Sequence, residues 1–246
     1  MGYSKDVNCG KPNRKEVMFK RDDIPQCFAF ELSNRCNLSR YHPKCPTKAD
    51  AEPIILSTKI IKDTIDYFGE QNYKGTIYFN IYNEPMNDPR LFMLLHYVKE
   101  HCDCGINIWT NGWYLDQNLL TEMNEIGVHV TATSYSDKDK VRVDRLNGNI
   151  VSNQHELDDR MDIYKNPAVN KGECHFPSTY GMVNHKGRLV LCCMDCEYTH
   201  HFADLNTIGI KEALESEARI KICDELEAGV RTIEVCKQCK PPGWGV

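Results

Sequence analysis

The chain alternates between short apolar runs and longer segments whose apolar residues recur every three or four positions. Cys27 to Leu32 reads as an apolar strand that runs through Ser33 and Asn34 into a loop. Beyond Pro53, Ser57 is placed to cap a helix with Ile60, Ile61, Ile65 and Phe68 on one face. Gly75 then breaks into the β-rich run TIYFNIYNEP. Asp88-Pro89 opens a second helix through Leu91, Leu94, Leu95 and Val98. Gly105 leads the strand INIWTNG, Leu119 to Ile126 is a third helix, and Gly127 precedes the strand VHVTATS. Strands alternating with helices of this length predict right-handed βαβ units on a parallel sheet. Four units follow from the pattern: a polar lead-in over 1–25, an α/β core over 26–150, a polar and poorly periodic connection over 151–173, and a C-terminal unit over 174–246. The connection contains the helix-compatible stretch HELDDRMDIY, and the C-terminal unit contains the helix-rich IGIKEALESEARIKICDELEAG.

A length of 246 residues holds one large α/β domain with a small appendage. The net charge of −5 and pI near 6.0 provide no electrostatic footprint for nucleic acid. No apolar run approaches the ~20 residues of a membrane span, and the N-terminus lacks the apolar core of a signal peptide. A cytoplasmic protein is the expectation. The 13 cysteines change the picture, because in a large acidic chain without a signal they point to metal rather than to disulfides.

Cys36, His42 and Cys45 lie on the one loop that follows the first strand, closed by Pro46. Cys45 and Cys36 are soft thiolate ligands and His42 a borderline one, and a loop can fold back to bring all three to one centre. Cys27 lies one strand-length away and reads as a buried small hydrophobe. The sequence ELSNRCNLxxxxxxCP resembles the first strand and cluster loop of radical S-adenosylmethionine (radical SAM) enzymes. The usual C-x3-C-x2-C spacing is broken here. Counting back from Cys45, His42 occupies the middle cysteine's place; counting forward from Cys36, Arg40 does, and a guanidinium cannot ligate iron.

Three later segments continue the resemblance. YNEPMNDPRL resembles the family's G-G-E-P-L, with Asn83 at the second glycine and Glu84 at the acidic residue that binds the amino group of S-adenosylmethionine (AdoMet). WTNGWYL resembles T-N-G-x-x-L and includes Asn111. VTATSYSD resembles the strand whose serine contacts AdoMet, with Ser134 as the matching position. Arg145, in VDRLNG, matches an arginine that meets the AdoMet carboxylate. Ligands of parallel α/β sheets bind beyond the carboxyl ends of the strands, where these segments fall. Tyr82, Trp109, Trp113 and Tyr135 read as core aromatics by pattern.

In the C-terminal unit, Cys236-x2-Cys239 is a metal half-site. The whole arrangement resembles the twitch domain, a shortened auxiliary-cluster module, with Cys174, Cys192, Cys236 and Cys239 as the matching ligands and HKGRLVLCCMD as the hairpin. Cys193 and Cys196 remain alternatives to Cys192, although strand alternation turns Cys192 and Cys193 to opposite faces. Cys223 reads as helix packing.

The resemblance implies a partial (β/α) barrel of the radical SAM type followed by a small α+β twitch domain. It implies two [4Fe–4S] clusters, AdoMet, and an electron donor such as flavodoxin or ferredoxin. The implied activity is cleavage of AdoMet to a 5′-deoxyadenosyl radical that abstracts hydrogen from a small polar metabolite such as a sugar, aminocyclitol or nucleoside. Dehydrogenation, epimerisation and sulfur transfer all fit that start. Modification of a ribosomal peptide is an alternative, and a metal-stabilised protein that has lost catalysis is another, supported by the missing cysteine.

Overall fold

The computed structural model describes residues 24–42, 45–48, 51–154 and 172–239. Its centre is one eight-stranded sheet of order β5-β4-β3-β2-β1-β6-β7-β8. β1 (Cys27–Phe30), β2 (Thr76–Tyr78), β3 (Gly105–Thr110), β4 (Val128–Ser134), β5 (Ile150–Gln154) and β6 (Tyr180–Val183) pair in parallel. β6 lies on the side of β1 away from β2, so the six strands follow sequence order with the break between β5 and β6. β7 (Arg188–Val190) and β8 (His201–Asp204) then extend the sheet antiparallel, and the sheet stays open.

Alternation along the strands sorts the side chains into two faces. Phe28, Phe30, Leu32, Ile77, Phe79, Ile106, Ile108, Val128, Val130, Ala132 and Val183 pack outward in the main core. Against them lie α1 (Thr58–Glu70), α2 (Leu91–His101) and α3 (Gln117–Ile126), whose buried residues include Ile61, Ile65, Leu94, Leu95, Leu120 and Met123. Cys27, Ala29, Tyr78, Met182 and Val190 form a smaller cluster on the opposite face, with Trp109, Tyr180 and Tyr198 packed against it. Gly181 carries no side chain because a Cβ there would stand 2.4 Å from the Phe28 ring, so β6 can lie close on β1.

The expected helices and strands form where the pattern places them. α3 begins two residues earlier than predicted, because the Asp116 carboxylate accepts from the Leu119 amide at 2.9 Å and caps it. Two boundaries differ. The connection contributes β5, whose Ile150 and Val151 pair with Val130 and Thr131; its five residues are too short and polar for the pattern to separate them from a loop. β6 lies inside the C-terminal unit in sequence yet completes the parallel core. The stretch HELDDRMDIY, Cys9 and nearly all of the lead-in lie outside the described residues. The remaining helices are α4 (Asp137–Val143), α5 (Phe176–Thr179), α6 (Ile210–Leu214), α7 (Glu217–Glu227) and α8 (Glu234–Gln238). None of the helices among the described residues is long and apolar enough to cross a membrane.

Candidate active site

The carboxyl ends of β1 to β4 open onto one cavity. Its lining brings Cys36, His42 and Cys45 from the loop after β1 together with Glu84, Thr110, Asn111, Thr133 and Tyr135. Glu84 follows β2 and is almost completely buried. Its Oε1 accepts from the Thr110 hydroxyl at 2.7 Å and from the Met86 amide at 3.0 Å, and its Oε2 accepts from the Asn111 amide at 2.7 Å. Burial pushes the Glu84 carboxyl up to about 7, and these three donors restrain the rise. A carboxylate offers about four lone-pair sites, so one remains for a ligand's ammonium group.

The turn after β3 holds these donors in place. Gly112 adopts φ +71°, a left-handed conformation in which glycine is unstrained. Asn111 then spans two segments: its backbone amide reaches Glu84, while its side-chain Nδ2 donates to Asn37 Oδ1 at 2.7 Å. Asn83, standing where the family motif has glycine, braces its own turn. Its Oδ1 accepts from the Ile81 amide at 3.1 Å and its Nδ2 donates to the Phe79 carbonyl at 3.1 Å.

The cluster loop winds through short turns, with the amides of Tyr41 and His42 donating to the Leu38 carbonyl and that of Cys45 to the His42 carbonyl. This winding turns Cys36, His42 and Cys45 toward the same cavity, whereas Arg40 is exposed and outside its lining. Burial raises the Cys36 thiol to about 11, and the neighbouring Glu84 and Cys45 charges add to the shift. A bound cation reverses such a shift, because the thiolate is the form that ligates. Cys27 is fully buried in the inner cluster at the other end of β1 and does not reach the cavity. The loop therefore presents two thiols and an imidazole as a donor set that suits iron, with a carboxylate and amides opposite for a polar ligand.

Two expected AdoMet contacts are not brought to the cavity. Ser134 is fully buried on the outward face with Val128, Val130 and Ala132, while Thr133 and Tyr135 form the cavity wall. The two-residue period of the strand decides this: Ser134 shares the parity of Val128, Val130 and Ala132, and Thr133 and Tyr135 take the other face. Arg145 is exposed and lines a separate depression along α4 with Asp137, Lys138 and Arg142. Its neighbour Arg142 is the one that touches the strand-end loop, donating to the carbonyls of Gly112 and Leu115. Tyr82, Trp109 and Tyr135 line the cavity, where Tyr82 is also buried and Trp109 packs against the inner cluster, and Trp113 is 54% exposed. Alternation from β3 and β4 carries the signal for Trp109 and Tyr135; Tyr82 lies in an irregular turn where no period applies.

The second site lies between the hairpin end and the C-terminal helices. Cys236 is buried with Leu191 and Leu226, and Cys174 and Cys192 pack against them. Burial together with the charges of Cys174 and Cys239 pushes the Cys236 thiol up to about 12. Burial and Cys174 likewise push Cys239 up to about 11, and Cys192 is raised well above the ordinary thiol value by burial, Cys193 and Cys236. Cys193 packs instead toward the inner cluster, beside Tyr198. The Cys193 carbonyl accepts from the Tyr82 hydroxyl, which ties this loop to the cavity wall. Among the described residues no three Cys, His, Asp or Glu side chains close in on a single ion. A [4Fe–4S] cluster takes one thiolate per iron at separate corners, and four thiols gathered around one apolar pocket fit that group.

Residues 174–240 match the SPASM family, described as an iron–sulfur cluster-binding domain. No curated protein sequence matches the chain. Among solved structures, BtrN in complex with AdoMet and 2-DOIA is similar with a TM-score of 0.73 and 21% identity, covering 85% of this chain and 89% of BtrN. The open conformation of BtrN gives a TM-score of 0.71 at 19% identity, over 89% of this chain and 94% of that one. The enzyme anSMEcpe with bound AdoMet gives 0.51 at 10% identity, over 88% and 86%. The chain shares the fold of these AdoMet-bound structures, and its residues 174–240 carry the match to an iron–sulfur cluster-binding domain.

Proposed function

We propose that this protein is a radical SAM oxidoreductase that removes hydrogen from a small polar molecule. The observation that carries the reading is the single cavity shared by Cys36, His42, Cys45, Glu84 and Asn111 at the strand ends. When bound, the loop cluster and AdoMet supply a hydrogen-abstracting radical. Cys36, His42 and Cys45 hold the cluster, and Glu84 takes the AdoMet ammonium group through its remaining lone pair. Thr110 and Asn111 fix the Glu84 carboxylate before the ligand arrives, which limits the ordering cost of binding. Tyr82, Trp109 and Tyr135 wall the space and keep water from it.

The neighbour with 2-DOIA bound supports a small substrate, and oxidation is the reaction we assign. Cys174, Cys192, Cys236 and Cys239 hold the auxiliary cluster, which takes the electron that such an oxidation releases. The chain divides functionally into the core over 26–150 and the cluster module over 174–246, with β6 as the strand they share.

The test is anaerobic reconstitution with iron and sulfide, followed by dithionite and AdoMet. About eight irons per chain and formation of 5′-deoxyadenosine are the expected results. Zinc in a closed four-cysteine site, with no AdoMet bound, would instead mark a non-catalytic scaffold.

A further inference from the structure

α4 is short and mostly charged, DKDKVRV, and follows β4 after Tyr135 and Ser136. Ser136 caps it, its hydroxyl accepting from the Asp139 amide at 3.2 Å. Val143 is its one buried residue, and together with Arg142 it seats the helix on the turn after β3. A Cβ on Gly112 would stand 3.0 Å from Val143 Cγ2, so the glycine lets helix and turn touch. Arg142 grips the same turn. Its Nη1 donates to the Leu115 carbonyl at 2.5 Å and its Nη2 to the Gly112 carbonyl. A guanidinium is a fixed planar fork, which suits two acceptors at once. The ion pair of Arg142 with Asp139 is loose, at 4.0 Å, so the two carbonyls are its closer partners.

The turn held in this way feeds both oxygens of Glu84. The Gly112 amide donates to the Thr110 hydroxyl at 3.1 Å, and that hydroxyl donates to Glu84 Oε1 at 2.7 Å. The Asn111 amide donates to Glu84 Oε2 at 2.7 Å. The peptide unit whose carbonyl Arg142 holds presents its N–H, on Trp113, to Asn111 Oδ1 at 2.9 Å. Asn111 Nδ2 then passes the chain to Asn37 on the cluster loop at 2.7 Å. A cation on a carbonyl polarises its peptide and strengthens the N–H bond beyond it, and each bond in such a chain strengthens the next. Arg142 stands at the head of this chain, with a charge that a protein cannot deprotonate.

We propose that Arg142 is a positioning residue for AdoMet: it fixes the turn after β3 so that Thr110 and Asn111 hold the Glu84 carboxylate ready for an ammonium group. Arg142 lies outside the cavity lining and acts through the turn. The proposal rests on the reading of Glu84 as the partner of the AdoMet ammonium, and it adds the residue that keeps that carboxylate in place.

The experiment is a double-mutant cycle on reconstituted protein, with AdoMet affinity read by calorimetry in the wild type, Arg142→Ala, Glu84→Gln and the double variant. Iron content and the thermal transition are recorded for each. Arg142→Ala should weaken AdoMet binding about 10-fold with iron content unchanged. In the Glu84→Gln background the same change should cost less than about 2-fold, because residues that act through one another are not additive. A purely structural role would instead weaken binding equally in both backgrounds. Arg142→Lys keeps the charge without the fork and should recover only part of the loss. If Arg142→Ala does not fold, the lysine variant takes its place in the cycle, with a smaller loss that again disappears beside Glu84→Gln. Wild-type affinity in Arg142→Ala, equal losses in both backgrounds, or full recovery by lysine would overturn the proposal. Wild-type affinity in Glu84→Gln would overturn the reading of Glu84 on which it rests.

Discussion

The loop site draws Cys36, His42 and Cys45 from ten consecutive residues, whereas the C-terminal site draws four cysteines from segments spread over residues 174–239. The first opens on a polar cavity with a buried carboxylate across from it; the second is enclosed by Leu191, Leu226 and neighbouring thiols. On the proposed reading, three protein ligands facing a cavity would leave room for a further ligand at a fourth iron, and four thiolates at the second site would leave none. The local loop can form its donor set with little help from the rest of the chain. The distributed site exists only once β7, α7 and α8 have come together, so a metal bound there, as proposed, would also staple that part of the fold.

The largest expected effect separates the two sites by stability. Cys236→Ala or Cys239→Ala should remove roughly half of the reconstituted iron and lower the unfolding temperature of the C-terminal module, since metal binding and folding are coupled there. Iron content unchanged in both variants would break the assignment. Cys36→Ala should remove a similar share of iron but leave the thermal transition of the module in place.

His42 sharpens the contrast from the loop side. His42→Ala should abolish the AdoMet-responsive cluster signal, and His42→Cys should retain a cluster with a lower reduction potential, because imidazole in place of thiolate raises it. Electron paramagnetic resonance with and without AdoMet is the measurement. A full AdoMet-responsive signal in the alanine variant would place the third ligand elsewhere.

A smaller effect is expected at Glu84. Glu84→Gln should weaken AdoMet binding by about 10- to 100-fold, the equivalent of one buried charge-assisted hydrogen bond of roughly 1.5–3 kcal/mol, with iron content preserved. Wild-type affinity would show that the ammonium group lies away from this carboxylate.

The smallest effect is one of pH. Burial raises Glu84 to about 7, so below that value the neutral acid predominates and cannot pair with an ammonium. AdoMet affinity should therefore rise with pH through about 7 and level off above it. Because the ammonium favours the carboxylate, binding near pH 6.5 should release a proton. Calorimetry in two buffers of different ionisation enthalpy reads this release, and its absence would mean that Glu84 is already ionised or is not the partner.

Much of this molecule was legible because its signals are local. Helices α1 to α3 announce themselves by apolar residues on one face, and β4 begins and ends with the predicted strand VHVTATS. The gathering of Cys36, His42 and Cys45 on one cavity is visible within one loop. The Cys236-x2-Cys239 pair is equally plain, as is the Glu84 segment after its strand. What the tertiary structure decided is where side chains point and what lies beside them. One residue of register puts Ser134 in the outer core and Thr133 in the cavity wall. One turn of helix leaves Arg145 in solvent and gives Arg142 the contact with the strand-end loop. The roles of Tyr82 and Cys193, joined across 111 residues, could not be read from either neighbourhood. The same holds for β6, which pairs with β1 from more than 150 positions away. Such pairings arise as the sheet assembles, and no local period encodes a partner that distant.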